Sequence, residues 1–139
     1  MAPRILVAED NEDDYVLIRD AFEENALAVE FSRVKDGEEL MDYLSKRTAP
    51  DLILLDLKMP RKNGLEALQE IKADPQLRLI PVIALSTSAS EKDIRDAYSF
   101  GVNAYVKKPV GFTLFVDAAK RIYDFWFALA RRPQTEHRS

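Results

Sequence analysis

The sequence predicts a doubly wound α/β fold, a three-layer (βα)5 sandwich around a parallel sheet in the order 2-1-3-4-5. Three observations carry this. Short apolar runs alternate five times with longer stretches of helical apolar spacing, from one end of the chain to the other. Ile5-Leu6-Val7-Ala8, Leu52-Ile53-Leu54-Leu55 and Val82-Ile83-Ala84-Leu85 are wholly apolar, so they read as short buried strands. The stretches between them are long enough for the crossover helix that each parallel connection requires.

Each element has its own local signal. After the strand from Arg4 to Ala8, the positions Val16, Leu17, Ala21 and Phe22 give a helix from about Asp13 to Asn25. Val29 to Val34 alternates weakly and contains β-branched and aromatic residues, as a more exposed strand does. Asp36-Gly37 then breaks the chain before a helix carrying Leu40, Met41, Tyr43 and Leu44. A third strand, Leu52 to Asp56, runs into the Pro60 turn, and Gly64 opens a helix with Leu65, Leu68 and Ile71 on one face. Pro75 ends that helix. Pro81 can precede the strand Val82 to Leu85 without needing a ladder donor. Ser88 or Ser90 can cap a helix running to about Phe100, which Gly101 terminates. The strand Ala104 to Lys107 and a helix from about Phe112 to Arg131 complete the set. The expected organisation is one domain over residues 1–131, followed by a disordered polar tail, 132–139.

Composition limits the chemistry. The 139 residues are 47% hydrophobic, enough for one packed core. No apolar window approaches a membrane span, and no basic flank leads into an apolar secretory stretch, so a cytoplasmic protein is expected. Without cysteine, thiolate catalysis, cysteine-based zinc sites and disulfides are excluded, and the one histidine, His137, lies in the polar tail. The net charge of −4, from 20 basic and 24 acidic residues, gives no general attraction to nucleic acid or to an anionic membrane.

The acids are unevenly placed. Five of the six residues from Glu9 to Asp14 are carboxylates. Glu12, Asp13 and Asp14 fit a solvated helix face as readily as a functional one. Glu9-Asp10 and Asp56 differ, because each ends a buried strand. In the 2-1-3-4-5 order the first and third strands flank the point where strand order reverses, the crevice where open α/β sheets bind ligands. Three carboxylates meeting there repel one another unless a cation neutralises them. Oxygen-only donors suit a hard ion such as Mg²⁺. Taken singly, Asp10 could cap the next helix and Asp56 could begin a turn. Two other strand ends add Ser86, a hydroxyl donor, and Lys108, a long cation before Pro109.

This constellation resembles the receiver domain of bacterial response regulators over residues 4 to about 125. The matching motifs are Glu9-Asp10, Leu54-Leu55-Asp56-Leu57-Lys58-Met59-Pro60 with Gly64, Ser86 after its apolar run, and Tyr105 followed by Lys108-Pro109. The resemblance implies the flavodoxin-like fold, with Asp56 as phosphoacceptor. It implies Mg²⁺ on Asp10 and Asp56, with Glu9 acting mainly through water and the main-chain carbonyl of Lys58 completing the set. Lys108 would balance phosphoryl charge, and the Lys108-Pro109 peptide would be cis. Ser86 and Tyr105 would form the switch that remodels the surface of the fourth helix, fifth strand and fifth helix. The donor would be a sensor histidine kinase or another phosphohistidine protein. The chain would be a signalling protein, with only self-catalysed phosphotransfer and dephosphorylation, and not an enzyme in the ordinary sense. The segments Tyr98 to Tyr105 and Ile122 to Trp126 are similar to those of single-domain regulators paired with bacterial phytochrome kinases.

Small departures accompany the match. Ser86 stands where threonine is more frequent, and Thr87 where alanine or glycine is usual. A haloacid dehalogenase phosphatase needs an aspartate two residues beyond its nucleophile, where this chain has Lys58. A flavin or nucleotide binder needs a phosphate-cradling loop after the first strand, where this chain puts acids. A receiver-like binding module that has abandoned phosphorylation should lack a pocket group, and none is lacking.

With no output unit following the domain, the signal is expected to leave by binding. The last helix carries Phe112, Phe115, Val116, Ala119, Ile122, Tyr123 and Trp126 on one face, and Leu114, Ala118, Phe125 and Leu129 beside it. At ~100° per residue these stripes span roughly 220°, more than one sheet covers. Trp126 and its neighbours could fold onto the same core. The favoured expectation is a homodimer through Phe115, Ile122, Phe125, Trp126 and Leu129.

Overall fold

The computed structural model describes residues 2–133. Five strands, β1 (Arg4–Ala8), β2 (Glu30–Val34), β3 (Leu52–Asp56), β4 (Val82–Ser86) and β5 (Ala104–Lys107), form one parallel sheet in the order β2-β1-β3-β4-β5. The helices are α1 (Glu12–Glu24), α2 (Gly37–Lys46), α3 (Gly64–Ala73), α4 (Glu91–Ser99) and α5 (Phe112–Tyr123). No helix of the described residues is long and apolar enough to cross a membrane.

Every residue of the central strands β3 and β4 is buried, because helices cover both faces of the sheet. Strand alternation divides the core in two. Ile5, Val7, Leu52, Leu54, Ile83 and Leu85 pack with Ile18, Ala21 and Phe22 of α1 and Phe115 and Ala119 of α5. Leu6, Ala8, Ile53, Leu55, Val82 and Ala84 pack with α2, α3 and Ala97 of α4. Helix starts follow capping chemistry. Asn11, Asp36, Asn63 and Ser90 each accept from the backbone N–H three residues on, and Glu66 reciprocates Asn63 in a full capping box. Ser90, not Ser88, therefore starts α4.

The last helix departs from the expected course. It is α-helical only to Tyr123, then continues as a π-helical turn over Asp124–Leu129, and Ala130 is extended, so it does not reach Arg131. The Ala130 N–H donates to the Phe125 carbonyl (2.7 Å), the five-residue spacing of a π turn. This wider turn puts Ile122, Tyr123, Trp126 and Phe127 together against the α1 side of the core. Phe115 is 6% exposed and committed to the same core, so it is not available as a dimer contact, and Ile122 and Trp126 are half-buried there. Phe125 and Leu129 are 49% and 75% exposed.

The boundary at residue 131 also shifts. Arg132 is anchored: it donates to the Trp126 carbonyl (3.1 Å) and to Asp51 (3.0 Å), and stacks over Phe127. The rest of the predicted tail beyond Pro133, including His137, lies outside the described residues.

Candidate functional site

Strand register assembles the site. Asp56 lies opposite Leu85, and Ser86 opposite Lys107, so the ends of β3, β4 and β5 are level. The Lys108 N–H donates to the Ser86 carbonyl (2.7 Å), which brings the lysine to the same crevice. Gly64 allows α3 to begin close under Asp56, since a Cβ there would stand 2.5 Å from the Asp56 carbonyl oxygen. The Lys108-Pro109 peptide is trans, not cis as the resemblance implied, and the reversal into α5 is taken by Gly111 at φ 94°.

Glu9, Asp10 and Asp56 present carboxylate oxygens all within 4.8 Å of one another. Glu9 and Asp56 are buried, whereas Asp10 is exposed at the mouth. Asp10 does not cap α1, because Asn11 does. Asp56 does begin the turn, its Oδ1 accepting from the Lys58 N–H (3.0 Å), while its Oδ2 faces Lys108.

The Lys108 ammonium is shared among Glu9 Oε1 (2.7 Å), Asp14 Oδ2 (3.1 Å) and Asp56 Oδ2 (3.4 Å). Burial alone would lower its pKa, but the Glu9 hydrogen bond and the charges of Asp56 and Glu9 overcome this and raise it. Burial pushes Glu9 up to about 7; Lys108 opposes the shift and Asp56 adds to it. Three carboxylates thus share one ammonium, and Asp10 adds a fourth negative charge at the mouth. The donor set, hard oxygens with uncompensated negative charge and no nitrogen or sulfur, fits a divalent ion such as Mg²⁺.

Ser86 is buried, and its Oγ accepts from the Ser88 N–H (3.1 Å). The Tyr105 hydroxyl donates to the Ser88 carbonyl (2.8 Å). The two switch candidates are therefore joined through one residue, Ser88, one at its N–H and the other at its carbonyl.

Two residues were not singled out from the sequence. Asp14, read within a charge run, lies on the buried stripe of α1 with Ile18, Ala21 and Phe22, and that 3.6-residue spacing was a usable signal. Arg33 lies opposite Val7 in the β1–β2 register and donates to the carbonyls of Glu9 (3.0 Å) and Asp10 (3.1 Å) while stacking on Tyr15. It fixes the loop that carries both acids, and no local pattern announces it.

The raised Glu9 pKa has a testable sign. The folded state holds this proton more tightly than the unfolded state, whose pKa is near 4.5, so the stability Glu9 contributes is complete below about 4.5 and lost as pH rises through about 7. Melts in chelator from pH 5 to 8 should show wild type losing stability relative to Glu9→Gln, by at most about 3 kcal/mol. A flat difference between the two proteins across that window contradicts this assignment.

Comparison with known proteins places the site in a family. The response regulator receiver domain model matches residues 5–120. The chain is 38% identical to the probable methanogenesis regulatory protein FilR2 of Methanothrix harundinacea, over 93% of this chain and 86% of that one. It is 33% identical to response regulator Rcp1 of Synechocystis sp., over 93% and 92% of the two chains. A Mn²⁺-bound crystal structure of Rcp1 superimposes with a TM-score of 0.86, covering 95% of this chain and 99% of that one. The phosphorylated cyanobacterial phytochrome response regulator RcpA is 40% identical, with a TM-score of 0.90 and coverage of 96% and 100%. With the sheet order, the acidic crevice and the lysine already in place, the chain belongs to the response regulator receiver domain family.

Proposed function

We propose that this chain is a single-domain response regulator of a two-component phosphorelay, taking a phosphoryl group from a histidine kinase, or from another phosphohistidine protein, onto Asp56. The carrying observation is the setting of Asp56: one oxygen held by the Lys58 N–H, the other facing a lysine in an acidic crevice. An Asp56 oxygen bonds to phosphorus as the P–N bond to the donor imidazole breaks, and that nitrogen keeps the electron pair and takes a proton from water. Glu9, Asp10, Asp56 and the Lys58 carbonyl would hold Mg²⁺, which when bound offsets the charge of the carboxylates and phosphoryl oxygens. Lys108 supplies the protein's own positive charge beside the reacting group.

Ser86 carries the message outward. An acceptor toward Ser88, its hydroxyl keeps its own hydrogen for a phosphoryl oxygen. Any movement of Ser86 bears on the backbone of Ser88, whose carbonyl holds Tyr105, and through it on the surface of α4, β5 and α5. The chain's catalysis is limited to its own phosphorylation and dephosphorylation. Its likeness to the phytochrome response regulator RcpA supports a phytochrome-type kinase as donor, and with it a cytoplasmic site of action.

The reading includes a homodimer through the C-terminal helix region, narrowed to the exposed Phe125 and Leu129 with Leu114. A single apolar stripe suffices for two copies related by a two-fold axis, since the same patch serves both.

Acetyl phosphate with Mg²⁺ should add one phosphoryl group to wild type and none to Asp56→Asn, read by intact mass. Equal labelling of the two removes Asp56 as acceptor. In sedimentation, wild type should run at twice the chain mass and Phe125→Ser/Leu129→Ser at the chain mass. A wild type that stays at the chain mass rules the dimer out.

A further inference from the structure

Asp14 is the one carboxylate on Lys108 that the proposed chemistry leaves without a task. It reaches the ammonium from the first turn of α1, 94 residues away in sequence, at 3.1 Å. Its neighbours Glu12 and Asp13 are exposed and are not among the partners of Lys108. The Asp14 side chain is 38% exposed, against 10% for Lys108, so it grips the lysine from the solvent side of the crevice.

An ammonium has three hydrogens, and Lys108 has three carboxylate partners. To reach a phosphoryl oxygen on Asp56, the lysine must release one of them. Glu9 gives the shortest bond and is buried, so releasing it strands a desolvated acceptor. Asp56 is the residue that carries the phosphoryl group. Asp14 is the partner that water can resolvate, and its bond is the least costly to break.

We propose that Asp14 is a positioning residue, holding Lys108 off the reacting group and competing with the incoming phosphoryl oxygens for its ammonium. The inference rests on Asp56 being the phosphoacceptor. Neutralising Asp14 leaves Lys108 shared between Glu9 and Asp56 alone, closer to where phosphoryl charge arrives. Because Asn11 caps α1, Asp14→Asn leaves the helix start intact.

The test separates position from charge. Labelling rates with acetyl phosphate and saturating Mg²⁺ are measured over a range of donor concentration for wild type, Asp14→Asn and Asp13→Asn. Asp13→Asn makes the same charge change one residue away. The rate at saturating donor should rise roughly fivefold in Asp14→Asn and stay at the wild-type value in Asp13→Asn. An unchanged or slower saturated rate in a folded Asp14→Asn overturns the proposal, as does an equal acceleration in both variants, which reports net charge alone. Melting temperatures taken in parallel identify a misfolded variant, and Asp14→Ser then decides by the same criteria. A wild type that takes no label overturns the phosphoacceptor reading and this inference with it. Labelling of wild type with an unchanged Asp14→Asn overturns the inference alone.

Discussion

The sharing of one lysine ammonium among carboxylates from β1, α1 and β3 is the interaction on which the rest of the site depends. Glu9 and Asp56 are buried at the ends of wholly apolar strands, where an uncompensated carboxylate is costly. Lys108 comes from the far side of the sheet, after β5, and lies within 3.4 Å of both. The site therefore exists only when the whole parallel sheet is assembled in register. One cation for four anions also leaves a deficit, which a divalent ion would balance and which, under the proposed function, phosphoryl arrival would redistribute.

Hydrogen bonds also run from the crevice to the edge of the sheet. Ser86 follows the buried run of β4, Tyr105 lies on the edge strand β5, and both are tied to the backbone of Ser88, at its N–H and its carbonyl. In the proposed switch, a change at the hydroxyl would reach the aromatic ring through these two hydrogen bonds. The exposed Phe125 and Leu129 lie beyond the end of α5, next to a segment locked down by Arg132 on Asp51. That clamp holds the aromatic end of the chain against the base of the sheet.

Legibility followed physics element by element. The strands, their order and the convergence of Asp10, Asp56 and Lys108 were readable because the central strands are short continuous apolar runs separated by helix-length stretches, and parallel topology aligns their ends. Asp14 was readable in principle from its place on the Ile18 stripe, but the acidic run around it masked the signal. Arg33 was not readable, since its role depends on β1–β2 register and on backbone carbonyls that carry no sequence signature. The end of α5 misled because a 100° wheel cannot anticipate a π turn, which brought Trp126 and Phe127 inward together. The cis peptide before Pro109 came from family resemblance, and the left-handed Gly111 makes the turn without it.

If Lys108 is the protein's own counter-cation for this crevice, its removal must be felt before any chemistry occurs. The direct measurement is the unfolding free energy of wild type and Lys108→Met at pH 8, in chelator and then in saturating Mg²⁺. The variant should be less stable in chelator by about 3 kcal/mol or more, as for a broken buried ion pair. It should also gain more stability than wild type when Mg²⁺ is added, because the ion then balances carboxylates that the lysine no longer serves. Equal stability of the two proteins in chelator would contradict the account at its centre.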